Sequence, residues 1–200
     1  MALNPELASS IADALAERSW WLGDGLLPAA LVEALALQAR QPPAPMRRAG
    51  IGRAEAARVD ASLRGDSILW LDTETPAAAA CLAALDALRL ALNRHLFLGL
   101  RRVEAHYAHY SPGARYVRHR DAFARDNPRV VSVVLYLNRD WPADAGGELV
   151  LYPDAMPAGL RVLPEQGRVA IFMSQDIEHE VLPARLDRYS IAAWMRRDEL

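Results

Sequence analysis

Apolar residues recur at helical spacing in three stretches of the first hundred positions. Leu7, Ile11 and Leu15 form a stripe behind Asn4-Pro5. Leu31, Ala34, Leu35 and Leu37 form a second, with Pro28 at its expected first turn. Pro76 opens a third, rich in Ala and Leu, to about Leu92. Between them, residues 19–22 read as a short strand closed by Gly23-Asp24-Gly25, and residues 67–71 as another. Residues 41–52, rich in Pro, Arg and Gly, read as an exposed basic loop, either a solvated connector or a flap over a substrate groove. From about Arg101 the period changes to alternation. Strands are expected at 103–110, 115–118, 130–137, 148–152, 160–162, 168–173, 180–182 and 189–194, broken by Ser111-Pro112-Gly113, Asn127-Pro128, Gly146-Gly147, Pro153-Asp154 and Gln166-Gly167. Many short strands separated by turn signals predict a sandwich or barrel. The expectation is an α+β chain with one domain over 1–200, a helical front over 1–100 and a β core over 101–196.

Composition narrows the function classes. A formal charge of −2 and a pI near 6.2 argue against bulk binding to nucleic acid or a membrane surface. A single cysteine, Cys81, excludes an internal disulfide framework and suggests a reducing, cytoplasmic compartment. No apolar run looks long enough to span a bilayer, and the first residues lack the basic-then-apolar order of a signal peptide.

The candidate chemistry sits in the alternating half. His119 and Asp121 are two apart, so an extended backbone puts an imidazole and a carboxylate on one face. Alone that is a weak sign. His179, at the start of a later extended stretch, supplies a third donor, and two His plus one carboxylate leave positions of a divalent iron open for oxygen chemistry. A structural zinc site would favour more His or a second Cys. His95 falls on a helix edge, and His106 and His109, three apart in one strand, read as ordinary strand polar groups. Nine residues past His179 stands Arg188. It shares a strand face with Ser190, Ala192 and Trp194, while Tyr189, Ile191 and Ala193 share the other. An inward Arg is costly unless paired, and its planar fork suits a carboxylate; a solvent-reaching Arg at a strand edge is the alternative. In the strand at 130–137, Val131, Val133 and Leu135 point one way and Ser132, Val134 and Tyr136 the other. Tyr136 thus brings a hydroxyl to an apolar face, where a ligand carboxylate or a backbone carbonyl would meet it.

Taken together, RGDSILWL (64–71), YSPGARYVRHRD (110–121), VVSVVLYLNRDW (130–141), GGELVLYP (146–153) and HEVLPARLDRYSIAAW (179–194) resemble the hypoxia-sensing prolyl hydroxylase domain branch of the Fe(II)/2-oxoglutarate dioxygenases and its bacterial counterparts. The resemblance implies a double-stranded β-helix (jelly-roll, cupin-like) with supporting N-terminal helices. It implies that His119, Asp121 and His179 bind Fe(II), and that Arg188, with Tyr136, grips the distal carboxylate of 2-oxoglutarate. Tyr110, in a segment one residue shorter than in the animal enzymes, would also touch the cosubstrate. Tyr116, Leu149, Val181 and Trp194 match pocket-lining positions, and Ser190 is a further contact. Arg64, Asp66, Trp70 and Arg129 match a substrate-loop set in which Asp66 and Arg129 pair, so that residues 41–64 fold over the substrate. The activity implied is prolyl hydroxylation of a protein, elongation factor Tu by analogy. It would consume 2-oxoglutarate and O2, release succinate and CO2, and use ascorbate to keep iron ferrous. A free amino acid or small metabolite as substrate, or a non-catalytic metal-binding sensor module, are the competing readings.

Overall fold

The computed structural model describes residues 3–50, 60, 62–122 and 128–198. Helix α1 (Pro5–Arg18) starts where Asn4 accepts a hydrogen bond from the Glu6 N–H, and it stops where Ser19 turns left-handed at φ 65°. Strand β1 (Trp20–Gly23) follows, then α2 (Ala29–Arg40), with Pro28 as its cap residue rather than in its first turn. Thr75 caps the long α3 (Pro76–Leu96) by accepting from the Ala78 N–H. Gln38 of α2 ties the layers together: it accepts from the Tyr107 hydroxyl and donates to Thr75 Oγ1, at 2.9 and 2.8 Å.

The remaining strands are β2 (Arg47–Arg48), β3 (Ser67–Trp70), β4 (Arg102–Tyr110), β5 (Tyr116–His119), β6 (Arg129–Tyr136), β7 (Leu149–Tyr152), β8 (Leu160–Val162), β9 (Val169–Met173), β10 (Glu178–Val181) and β11 (Arg188–Arg196). They pair antiparallel into a seven-stranded sheet, order β1-β9-β6-β11-β4-β3-β2, and a four-stranded sheet, order β5-β10-β7-β8. The two-residue β2 lies inside the stretch expected to be loop. It exists because Arg47 and Arg48 find β3 as a partner edge, which no local pattern announces.

Period-two alternation decides which way each strand faces. Val131, Val133, Leu135, Ile191, Ala193 and Met195 join Ala105 and Tyr107 in a core with the three helices. The opposite faces of these strands meet the small sheet in a second apolar cluster that holds Ala108, Tyr110, Tyr136, Leu149, Leu151, Phe172 and Val181. The functional cavity opens in this second layer. Contrary to the expectation from the sequence, one segment, α3, is long and apolar enough to cross a membrane. Its face of Cys81, Ala84, Leu85, Leu88 and Leu92 is buried in the helical core, which explains the apolarity without a bilayer. Burial also pushes the Cys81 thiol up to about 12, so it stays an inert core residue.

Candidate active site

His119 closes β5, Asp121 follows two residues later, and His179 lies directly across from His119 in the β5–β10 ladder. The cross-strand pairing is what joins residues sixty positions apart. One potential ligand atom from each falls within 4.8 Å of the others. The two imidazole Nε2 atoms stand 3.7 Å from the two different oxygens of Asp121. Each ring turns its Nδ1 to a backbone carbonyl, His119 to Val117 at 2.8 Å and His179 to Ile177 at 3.2 Å. An Nδ1–H donated there leaves Nε2 as a bare lone pair aimed at the cluster centre. Tyr116 stacks on His119 at 3.7 Å, and Phe172 backs His179 at 4.7 Å.

The electrostatics keep these groups ready to bind a cation. Burial alone would raise the Asp121 carboxyl. The two imidazoles and a 2.6 Å hydrogen bond from Ser132 outweigh it and hold the carboxyl well below the usual range. Burial pushes His179 down to about 4, with His119 adding repulsion against the pull of Asp121, so it is neutral near pH 7. Two imidazoles that turn their Nε2 atoms to the cluster and one carboxylate, with no thiolate nearby, fit a facial iron(II) site.

Arg188 begins β11 on the large sheet and is 1% exposed. Its Nε donates to the Gly147 carbonyl at 2.8 Å and its Nη1 to Ser190 Oγ at 3.3 Å. Gly147 has φ 75°, and a Cβ there would crowd Ala184, Trp141 and the Arg188 stem, so only glycine delivers that carbonyl. Among the described residues no carboxylate pairs with the guanidinium. The rings of Tyr110 and Tyr136 lie 5.0 and 5.2 Å from its carbon, and among the described residues the buried Tyr136 hydroxyl has no partner in hydrogen-bond geometry. A buried cation beside an orphaned hydroxyl is costly unless an anion completes the site. A ligand carboxylate answers both.

Tyr110, Tyr116, Leu149, Val181, Ser190 and Trp194 line the cavity between the metal-type cluster and Arg188; Tyr136 sits in the apolar cluster beside Arg188 instead of on the wall. Arg64 and Asp66 also reach the cavity.

A sequence profile of the 2OG-Fe(II) oxygenase superfamily matches residues 105–196. A prolyl-4-hydroxylase of Pseudomonas putida is 41% identical over 96% of this chain and 100% of its own, with a TM-score of 0.87. The chain belongs to the prolyl-hydroxylase branch of the Fe(II)/2-oxoglutarate oxygenases. A Trichoplax adhaerens prolyl hydroxylase, solved with a hypoxia-inducible factor peptide, is 26% identical at a TM-score of 0.82, covering 96% of this chain and 90% of its own. Human Egl nine homolog 1 is 33% identical over 66% of this chain, and the match spans only a third of that protein's length.

In this chain the expected Asp66–Arg129 pair does not form. Arg64, two residues away, forks both oxygens of Asp66 at 2.8 and 3.0 Å. Arg129 instead pairs with Glu104 and lays its guanidinium 3.7 Å from the Trp194 ring. Proximity explains the exchange: Glu104 faces Trp194 across β4–β11 and meets Arg129 on the other side. Trp70 is half exposed and meets the His106 ring edge-on. The expected flap over 41–64 lies partly outside the described residues, at 51–59 and 61. What is described is tied down: Ala49 N–H donates to the Asp66 carbonyl, and Arg48 to that of Gly65.

Among the cavity residues to which the sequence reading gave no role, two carry polar side chains. Ser132 holds Asp121, and His106 lines the wall. Strand parity carries the signal for both: it already puts Ser132 on the face of Tyr136, and it puts His106 on the face of Tyr110.

Proposed function

We propose that the protein is an Fe(II)- and 2-oxoglutarate-dependent dioxygenase that hydroxylates prolyl residues of a protein, with elongation factor Tu as the candidate partner. The observation that carries this is the buried Arg188, without an acidic partner among the described residues, across one cavity from three converging metal-type ligands. In the proposed roles His119, Asp121 and His179 hold the iron. Arg188 takes the distal carboxylate of 2-oxoglutarate in its fork, and the orphan Tyr136 hydroxyl donates to the same group. Tyr110, Ser190, Leu149 and Val181 shape the slot between them. Bound together, iron, 2-oxoglutarate and O2 supply the oxidant that places oxygen on a substrate carbon, with succinate and CO2 released. The chain's own residues orient the dicarboxylate, keep the ligand lone pairs free and exclude water through the apolar wall. Ascorbate would maintain ferrous iron, and the single cysteine favours a reducing cytoplasm.

The test loads the protein anaerobically with Fe(II) and 2-oxoglutarate, admits O2 with lysate proteins, and reads peptides by mass spectrometry. Gain of one oxygen on proline, strictly dependent on iron and 2-oxoglutarate, is expected. Oxygen appearing only on free amino acids or metabolites would replace the protein substrate with a small one. Failure to convert 2-oxoglutarate to succinate at all would remove the enzyme assignment.

A further inference from the structure

His106 sits on the cavity wall, 2% exposed, in none of the roles above. Its Nδ1 lies 3.1 Å from the Tyr107 carbonyl on its own strand. With that N–H donated, Nε2 is a bare acceptor on the far edge of the ring, turned away from the strand. Burial pushes the imidazole down to about 4, so the acceptor stays unprotonated. The ring is held between Trp70, edge-on at 5.1 Å, and Trp194, tilted at 5.3 Å. The Trp194 indole N–H is itself buried without a partner among the described residues. An aromatic wall thus carries one free acceptor and one free donor on neighbouring rings, at a distance from the Arg188 slot set by the run of β11 from Arg188 to Trp194.

We infer that His106 is a specificity-determining residue: its Nε2 accepts a hydrogen bond from a backbone N–H that flanks the target residue, while the Trp194 indole N–H donates to the carbonyl of that same flanking residue. In an extended chain the N–H and C=O of one residue point to the same side, which matches a paired acceptor and donor. A prolyl residue has no N–H of its own, so the contact falls on its neighbour, and a free amino acid cannot make it. Resting on the proposed function, the pair selects peptide over free proline by an unmade hydrogen bond rather than by size.

The probe is acetyl-Ala-Ala-Ala-Pro-Ala-Ala-Ala-amide. Two twins carry lactate in place of the alanine just before or just after proline, so that an ester oxygen replaces one N–H. Dissociation constants are measured by anaerobic calorimetry on the protein loaded with Fe(II) and 2-oxoglutarate. One twin is expected to bind the wild type about fivefold to tenfold more weakly than the amide. His106→Leu should bind that twin and the amide alike, whereas His106→Gln, which keeps an acceptor, should retain part of the preference. The comparison is internal to each protein, so partial misfolding does not mimic the result. The inference is overturned if the wild type binds none of the peptides, if it binds all three equally, or if His106→Leu still discriminates. Failure of the dioxygenase function shows elsewhere, as no 2-oxoglutarate-dependent oxygen gain on lysate proteins, whatever the peptide ratio.

Discussion

Asp121 has two imidazole neighbours and one serine donor, and its charge is the only negative one in the ligand set. Asp121→Ala, like His119→Ala or His179→Ala, is expected to reduce Fe(II)-dependent succinate formation below detection. Ser132→Ala keeps all three ligands but removes the 2.6 Å hydrogen bond that orients the carboxylate; iron affinity should fall about tenfold or more in anaerobic titration. Arg188→Lys should raise the KM for 2-oxoglutarate at least tenfold, because a point charge cannot replace the fork. If Arg188→Ala leaves that KM unchanged, the carboxylate lies elsewhere. His106 gives the clearest pH effect. Its folded value of about 4 lies below the ordinary 6.5, so between these values the unfolded chain holds more protons. The stability it contributes is therefore complete above the unfolded value and is lost as pH falls toward 4. Urea unfolding of the wild type should show about 2 kcal/mol more loss from pH 7 to pH 5 than His106→Phe shows.

At the scale of elements, the site depends on a ladder and a turn. β5 and β10 hold His119 opposite His179, with a register irregularity just beyond, between His179 and Val181. The Gly146-Gly147 turn has both residues at positive φ and hands its carbonyl to Arg188. Gly147→Ala should therefore act twice, destabilising the fold by about 1–3 kcal/mol through its φ and its close contacts, and weakening 2-oxoglutarate through a displaced Arg188. Denaturant melts with and without 2-oxoglutarate separate the two effects. The Arg64–Asp66 fork belongs to this scale too, since it joins the segment before β3 to the cavity rim. Asp66→Ala should spare 2-oxoglutarate decarboxylation without substrate more than it spares peptide hydroxylation. Equal losses would place the pair in the cosubstrate slot instead.

For the whole molecule, two apolar layers share one large sheet: helices on one face, the small sheet and the cavity on the other. Much of this is legible in the chain. Alternation in β6 and β11 announces which residues face the helices and which face the cavity, because a pleated strand has no other way to place them. The spacing of His119 and Asp121 and the caps at Asn4 and Thr75 are likewise local facts. The ion pairs are not. Arg129 meets Glu104 because of which strands come side by side, and although Arg64 and Asp66 are only two apart, their spacing does not say that Asp66 takes Arg64 rather than Arg129. The two-residue β2 and the place of His106 between Trp70 and Trp194 are also decided by neighbours remote in sequence. By itself the sequence determined the periods, the breaks and the donor types, since those arise from each residue's own backbone and side chain. Only the tertiary structure decided which charges neutralise one another and which buried polar atoms are left open, because pairing energy depends on distances that exist only after the sheets have closed.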